Sequence, residues 1–245
     1  MTTQTQLLIP QSRLSLDMPT GRGLRKAVEV SCKDMNPALM IAGRQSELAA
    51  EDYHNLAAKL LTENYWTGRR IFVTSPAAGD GKTCTAFNLA WALSKLGKSV
   101  LLAELNFARP QFRTVLGGLR IWYGIDCALR GSAKPSDSVF SMGENGVDVC
   151  AVRDAARSGQ LKEYLLRLDA FLGWFSDKYD WIILDCPAVL SREWNSWFRE
   201  FADPVLLVVR EQQTPLVEIR KTTRLLGSQL KGTLLNDSVA AIADE

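Results

Sequence analysis

Apolar residues fall along this chain in two alternating rhythms. From residue 46 the spacing of Leu48, Tyr53, Leu56, Leu60 and Leu61 is helical and predicts a helix that finishes near Asn64. A β-prone run at 71–74 is followed by a loop of small residues and then a helix expected over 83–96, stopped by Gly97. Further apolar strands are expected at 99–104, 147–152, 181–184, 205–209 and 233–235. Helices over 161–176, 193–201 and 216–230 separate most of them. Continuous apolar strands alternating with amphipathic helices need cover on both sheet faces, so the fold class is α/β, with a mostly parallel central sheet between two helical layers.

Residues 1–45 mix Gln, Thr, Ser, Pro, Gly and Arg without a sustained period and read as a flexible or loosely docked arm. Residues 46–236 form one domain and 237–245 a short tail. A chain of 245 residues, 47% hydrophobic, is long enough to bury one substantial core. With 29 Lys+Arg against 27 Asp+Glu, the overall field gives no reason to expect nucleic acid or an anionic membrane as the main partner. No apolar run reaches the roughly 20 residues of a membrane span, and the N-terminus lacks a secretory pattern, so a cytoplasmic location is expected. The five cysteines, Cys32, Cys84, Cys127, Cys150 and Cys186, form no C-x-x-C pair and read as reduced thiols. The single His54 excludes a multi-histidine metal site.

Candidate chemistry concentrates in Ser75-Pro76-Ala77-Ala78-Gly79-Asp80-Gly81-Lys82-Thr83-Cys84, which stands between a strand and a helix. A phosphate-binding loop needs backbone N–H groups converging at a helix N-terminus, a lysine for charge and a hydroxyl for Mg²⁺. Gly79, Asp80, Gly81 and Cys84 supply backbone, Lys82 the charge and Thr83 the hydroxyl. The strict pattern begins with Gly where this chain has Pro76, so one of its fixed positions differs. The fold expected is therefore a P-loop NTPase three-layer sandwich. About a hundred residues on, the apolar strand 181–184 ends on Asp185-Cys186-Pro187, and an aspartate there can hold Mg²⁺ through water.

With these two motifs the chain resembles the bacterial tyrosine kinases of capsule and exopolysaccharide assembly, within the wider group of chromosome-partitioning and division-site ATPases. The likeness runs from about Glu51 to Asn236. It is most specific at Val73 to Thr83 with Asn88-Leu89-Ala90 and Gly97 to Leu102, at Arg109-Pro110, and at Ile183 to Pro187 with Leu206 to Arg210 and Gly232 to Asn236. The resemblance accounts for Pro76, since that family often carries Ser-Pro before its Gly-x-Gly-Lys. It also implies ATP and Mg²⁺ as cofactors, Lys82, Glu104 and Asp185 as catalytic residues, and Thr83, Asp185 and Glu104 at the metal. Asn236 is implied as a base contact, with a turn or cap role as its alternative. The partitioning ATPases carry a signature lysine where this chain has Ala77, and no Asn-Lys-x-Asp guanine motif occurs, so ATP is expected over GTP.

The chain departs from that pattern in three places. The family's additional acidic motif, Asp-x-Asp-x-Arg, is matched by Glu104-Leu105-Asn106-Phe107-Ala108-Arg109, and Asn106 can serve neither as a charged base nor as a strong metal ligand. The C-terminal tyrosine cluster is missing, since the tyrosines are Tyr53, Tyr65, Tyr123, Tyr164 and Tyr179. The ring-forming Glu-x-x-Arg-x-x-Arg is matched by Glu51-x-x-His54-x-x-Ala57, without its two guanidinium forks.

Four readings follow, one of them an active tyrosine kinase or ATPase that uses Glu104 in place of the usual aspartate. A second is an ATP-binding, kinase-like protein serving polysaccharide assembly through a membrane-bound co-polymerase or adaptor, peripheral at the inner membrane and with homo-oligomerisation open. Another is a nucleotide-gated pseudo-enzyme. The weakest is a positional ATPase of the partitioning type. Arg153 and Arg157 read as a solvated basic face rather than a phosphate site. Trp174, Trp181, Trp194 and Trp197 serve core packing or a partner groove, with Trp194 and Trp197 expected on one helix face.

Overall fold

Successive residues of a strand point to opposite faces, and here that alternation divides the apolar side chains into two cores. In the computed structural model, residues 35, 36, 39, 47–62, 70–142, 147–157, 159–194 and 196–237 are described, without the side chains of residues 196 and 197. The elements in chain order are α1 (Glu47–Thr62), β1 (Arg70–Thr74), α2 (Lys82–Lys95), β2 (Val100–Glu104), α3 (Phe112–Val115), α4 (Ile125–Leu129), β3 (Phe140–Met142), β4 (Val147–Cys150), α5 (Gln160–Phe175), β5 (Trp181–Asp185), α6 (Ser196–Phe201), β6 (Val205–Arg210), α7 (Leu216–Leu226) and β7 (Leu230–Asn236).

The strands form a seven-stranded sheet among the described residues, in the order β3-β4-β2-β5-β1-β6-β7. Every pairing is parallel except that of β3 with β4. Ile71, Val73, Val100, Leu102, Ile183, Leu206 and Val208 pack with α1 and α2 on one face. Phe72, Leu101, Ala103, Ile182, Leu184 and Leu207 pack with α5 on the other. The α/β class with two helical layers is thus the observed fold. All the parallel strands run the same way, so their C-terminal ends share one edge, where ligands of open α/β sheets bind.

Several boundaries differ from expectation for local reasons. The helix expected to 230 stops at Leu226 because Gly227 takes a positive φ of 52°, and β7 then begins at Leu230. Trp194 lies ahead of α6 rather than on it. Its buried ring stacks on Phe198 at 5.0 Å. Of the 1–45 arm only residues 35, 36 and 39 fall within the described set. Met35 and Leu39 are buried in the α1/α2 core, and the Asn36 N–H donates to the Val115 carbonyl at 2.9 Å. Cys32, Tyr65 and residues 238–245 lie outside the described residues.

Leu102 and Leu168 are both fully buried, one in each core. Leu102→Ala and Leu168→Ala are each expected to cost about 2–5 kcal/mol, measured by urea denaturation. Because the sheet separates the two cores, the double variant is expected to lose the sum of the single losses.

Candidate functional site

The site grows from the end of β1. The Thr74 hydroxyl donates to the Pro187 carbonyl at 2.7 Å, and the Val189 N–H donates to the Ser75 carbonyl at 2.9 Å, so the loops after β1 and β5 run side by side. The β1 loop then turns through Gly79 (φ 98°) and Gly81 (φ 92°), a region that side-chain-bearing residues rarely occupy. A Cβ on Gly81 would stand 2.1 Å from the Asn236 Nδ2, so this position has neither the backbone freedom nor the space for alanine. Helix α2 starts directly after it, and its first carbonyl-accepting bond comes from Thr85 to Gly81 at 2.9 Å. The N–H groups of the first turn before it have no partner carbonyl in the helix, and with the helix dipole they favour an anion.

Lys82 and Thr83 are both buried at this helix start. The Thr83 hydroxyl donates to Asp185 Oδ2 at 2.8 Å, which brings together the two motifs that stand far apart in sequence. Asp185 is fully buried at the end of β5, and burial pushes its carboxyl up to about 6, against the opposing pull of Lys82 and the Thr83 bond. Its other oxygen, Oδ1, is buried without a hydrogen-bond partner. A buried, unsatisfied carboxylate oxygen is costly and calls for a cation or a water.

Glu104 is the β2 residue in register with Asp185 across the β2–β5 pair. Its carboxylate is held by backbone N–H groups. Oε1 accepts the backbone N–H groups of Gln111 and of Phe112 (2.9 Å for the latter), and Oε2 accepts the Val152 N–H at 2.9 Å. Glu104 therefore fastens the start of α3 and the end of β4 to the end of β2. Burial raises its pKa to about 7, with the three backbone donors pulling the other way. Asn106, two residues on, is nearly buried and lines an open cleft of about 310 Å³ together with Lys82, Arg109, Ser191 and Glu193. Arg109 lies 4.0 Å from Glu193 across this cleft.

Asn236 ends β7 and reaches the phosphate loop, where its Nδ2 donates to the Asp80 carbonyl at 3.1 Å. The Asp80 carboxylate in turn accepts the Ala77 N–H at 3.1 Å. Cys84 is half-buried on α2, with its thiol pushed up by burial. The structure thus gathers Gly79, Asp80, Gly81, Lys82, Thr83, Asp185 and Asn236 around one loop and sets Glu104 beside it. Sequence reasoning missed Ser191 and Glu193 of the cleft, and also Thr214, whose hydroxyl donates to Asp80. A Ser or Thr in a loop carries no signal of a distant partner.

The donors fit Mg²⁺. They are a hydroxyl and a carboxylate with one unpartnered oxygen, which are hard oxygen ligands beside an anion-favouring helix start. Among the described residues no group of three or more His, Cys, Asp or Glu could hold a metal alone. Such a metal would need phosphate oxygens and waters to complete its shell.

Several other residues singled out from the sequence make structural contacts. His54 packs edge-on against Trp91 at 5.1 Å, and Ala57 of the same helix is buried. Arg153 donates to the Trp122 carbonyl at 3.1 Å and pairs with Asp154 at 3.5 Å; Arg157 is exposed. Lys178 sits over the ring of the part-exposed Trp174, 3.2 Å from its centre.

No protein-family model matches the chain. It is similar to the tyrosine-protein kinase YwqD of Bacillus subtilis, 25% identical over 178 residues that cover 69% of this chain and 72% of YwqD. It is also similar to the septum site-determining protein MinD of Synechocystis, 29% identical over 171 residues, covering 65% of this chain and 58% of that protein. Against several curated relatives the chain spans less than two thirds of the relative's length. Among solved structures, the kinase domain of the Escherichia coli tyrosine kinase ETK superposes with a TM-score of 0.71, covering 83% of this chain and 80% of that one. At 21% identity that likeness speaks for the fold.

The raised carboxyl of Asp185 has a pH signature. Its folded pKa of about 6 lies above the ordinary value of 3.8, so the folded state holds the proton more tightly, and stability falls as pH rises through that window. Asn at this position imitates the neutral form. In thermal unfolding without Mg²⁺ or nucleotide, the midpoint of Asp185→Asn minus that of wild type is expected to be more positive at pH 7.5 than at pH 4.

Proposed function

Since the chain belongs with the P-loop ATPases that include the bacterial tyrosine kinases and the MinD proteins, we propose that it is an ATP- and ADP-binding, tyrosine-kinase-like protein. It acts in or regulates exopolysaccharide or capsule assembly, from the cytoplasmic side of the inner membrane, through a membrane-bound co-polymerase or adaptor. The observation that carries the nucleotide reading is the Thr83–Asp185 bond beside Lys82, with Asp185 Oδ1 left open. Thr83 and Asp185 would hold Mg²⁺, which when bound offsets phosphate charge. Lys82 and the first-turn N–H groups of α2 grip the phosphates, and burial around them strengthens each contact. No helix among the described residues is long and apolar enough to cross a membrane, which fits attachment through a partner.

The Asn236 amide supports adenine as the base. Its Nδ2 donates one N–H to the Asp80 carbonyl, and its Oδ1 and second N–H are the groups it can offer to a base edge. An acceptor suits the exocyclic amino group of adenine and repels the carbonyl of guanine.

Glu104 supports a second reading, a pseudo-enzyme whose nucleotide-bound form recruits partners. With three backbone N–H groups on its carboxylate, moving Glu104 to a metal or an attacking hydroxyl would release α3 and the end of β4. Asn106 offers no replacement charge. Phosphoryl transfer depends on placement, and a misplacement on the order of 1 Å can cost ~100-fold in rate.

Isothermal titration of the full chain is expected to show Mg²⁺-dependent ADP and ATP binding that Lys82→Ala abolishes, with GTP weaker by about tenfold or more. Absence of binding by the wild type would remove the nucleotide reading. With γ-labelled ATP, turnover is expected to stay at the Lys82→Ala background while ATP increases capture of the co-polymerase's cytoplasmic segment. Turnover that Glu104→Gln abolishes would instead favour the active kinase or ATPase.

A further inference from the structure

Asp80 puts a nearly buried carboxylate inside a loop built to attract anions. Its two oxygens face away from one another in purpose. Oδ2 accepts the Ala77 N–H at 3.1 Å, closing the phosphate loop on itself, and Oδ1 accepts the Thr214 hydroxyl at 2.8 Å, 134 residues further along the chain. Thr214 is itself fixed, since its oxygen accepts the Arg210 N–H at 2.9 Å where β6 ends. The Asp80 carbonyl takes the Asn236 amide, and the Asn236 carbonyl accepts the Glu211 N–H at 2.9 Å. The ends of β6 and β7 are thereby tied to the residue immediately before Gly81, on both its side chain and its main chain.

We propose that Asp80 is a positioning residue: its bond to Thr214 braces the phosphate loop against the ends of β6 and β7 and so sets the shape in which the loop receives phosphate. The inference rests on the nucleotide reading above and adds a regulatory consequence. A shift of the loop 211–215 that breaks the Thr214 bond is expected to change phosphate affinity. Two features make the brace matter. The loop between Ala77 and Gly81 is otherwise short of side-chain anchors, with Ala77 half-buried, Ala78 and Gly79 exposed and no Cβ at Gly79 or Gly81. A carboxylate accepting a hydroxyl and an N–H also forms charge-assisted bonds, the stronger kind. Removing the Thr214 hydroxyl leaves a nearly buried carboxylate oxygen without its partner, which costs more than the bond itself contributes.

The test is a double-mutant cycle read by isothermal titration of the full chain with Mg-ADP, at a temperature where circular dichroism shows every variant folded. Thr214→Val removes the hydroxyl at nearly constant volume, Asp80→Asn removes the charge, and Thr214→Ser keeps the hydroxyl. Thr214→Val and Asp80→Asn are each expected to weaken Mg-ADP by about tenfold, and the double variant by no more than either single change within about threefold. Thr214→Ser is expected to bind like the wild type, a rescue that general loosening of the loop would not give. Wild-type affinity in Thr214→Val, or losses that multiply in the double variant, would overturn the proposal. If Asp80→Asn fails to fold, the contrast between Thr214→Val and Thr214→Ser decides alone. A wild type that binds no Mg-ADP overturns the nucleotide reading rather than the brace.

Discussion

A hydrogen bond of 2.8 Å from the Thr83 hydroxyl to Asp185 joins residues 102 positions apart, and the geometry of the whole site hangs on it. It fixes the first turn of α2 over the end of β5. It holds Lys82 close enough to Asp185 to offset part of the cost of burying that carboxylate. The parallel sheet makes this possible, because β1 and β5 are neighbours with Val73 in register with Asp185, so both loops leave the same edge side by side. Gly79 and Gly81 then allow the loop to turn back over that edge, and the burial of Ile71, Val73 and Ile183 on one face keeps the strands from sliding.

Two buried carboxylates stand in register at this edge, and their surroundings give them different work. Asp185 keeps one oxygen unpartnered beside Lys82, an arrangement that suits a cation arriving with phosphate. Glu104 is satisfied by backbone N–H groups from α3 and from the end of β4, and it acts as a joint between three segments. Both are pushed upward in pKa by burial, yet of the two only Asp185 keeps a buried oxygen without a hydrogen-bond partner. In the proposed reading Glu104 therefore serves the scaffold and Asp185 the metal.

Much of the scaffold was legible because it depends on local signals. The strands near 71–74, 99–104, 181–184 and 205–209 are continuous apolar runs, and the turn at Gly79 to Thr83 carries its own chemistry. Elements made by tertiary contact were not legible. β3 is three residues on the sheet edge, and α3 is four residues whose first N–H groups are held by Glu104. Neither is long enough to show a period. The role of Glu104 was hidden for the same reason, since backbone N–H partners leave no mark in a sequence. Thr214 and Asp80 meet only because β6 lies beside β1 and β7 beside β6. The boundary between α7 and β7 was misplaced at a single glycine, Gly227, whose positive φ ended the helix four residues before the expected end.

The central claim is that this site grips Mg-nucleotide with Lys82, Thr83 and Asp185 while Glu104 stays in the scaffold. A crystal structure of the full chain with Mg-ADP tests it most directly. The account predicts the metal at the Thr83 hydroxyl, with Asp185 Oδ1 engaged by it or by one of its waters, and Glu104 still holding the N–H groups of Gln111, Phe112 and Val152. A metal ligated by Glu104, with those three backbone bonds released, would contradict it.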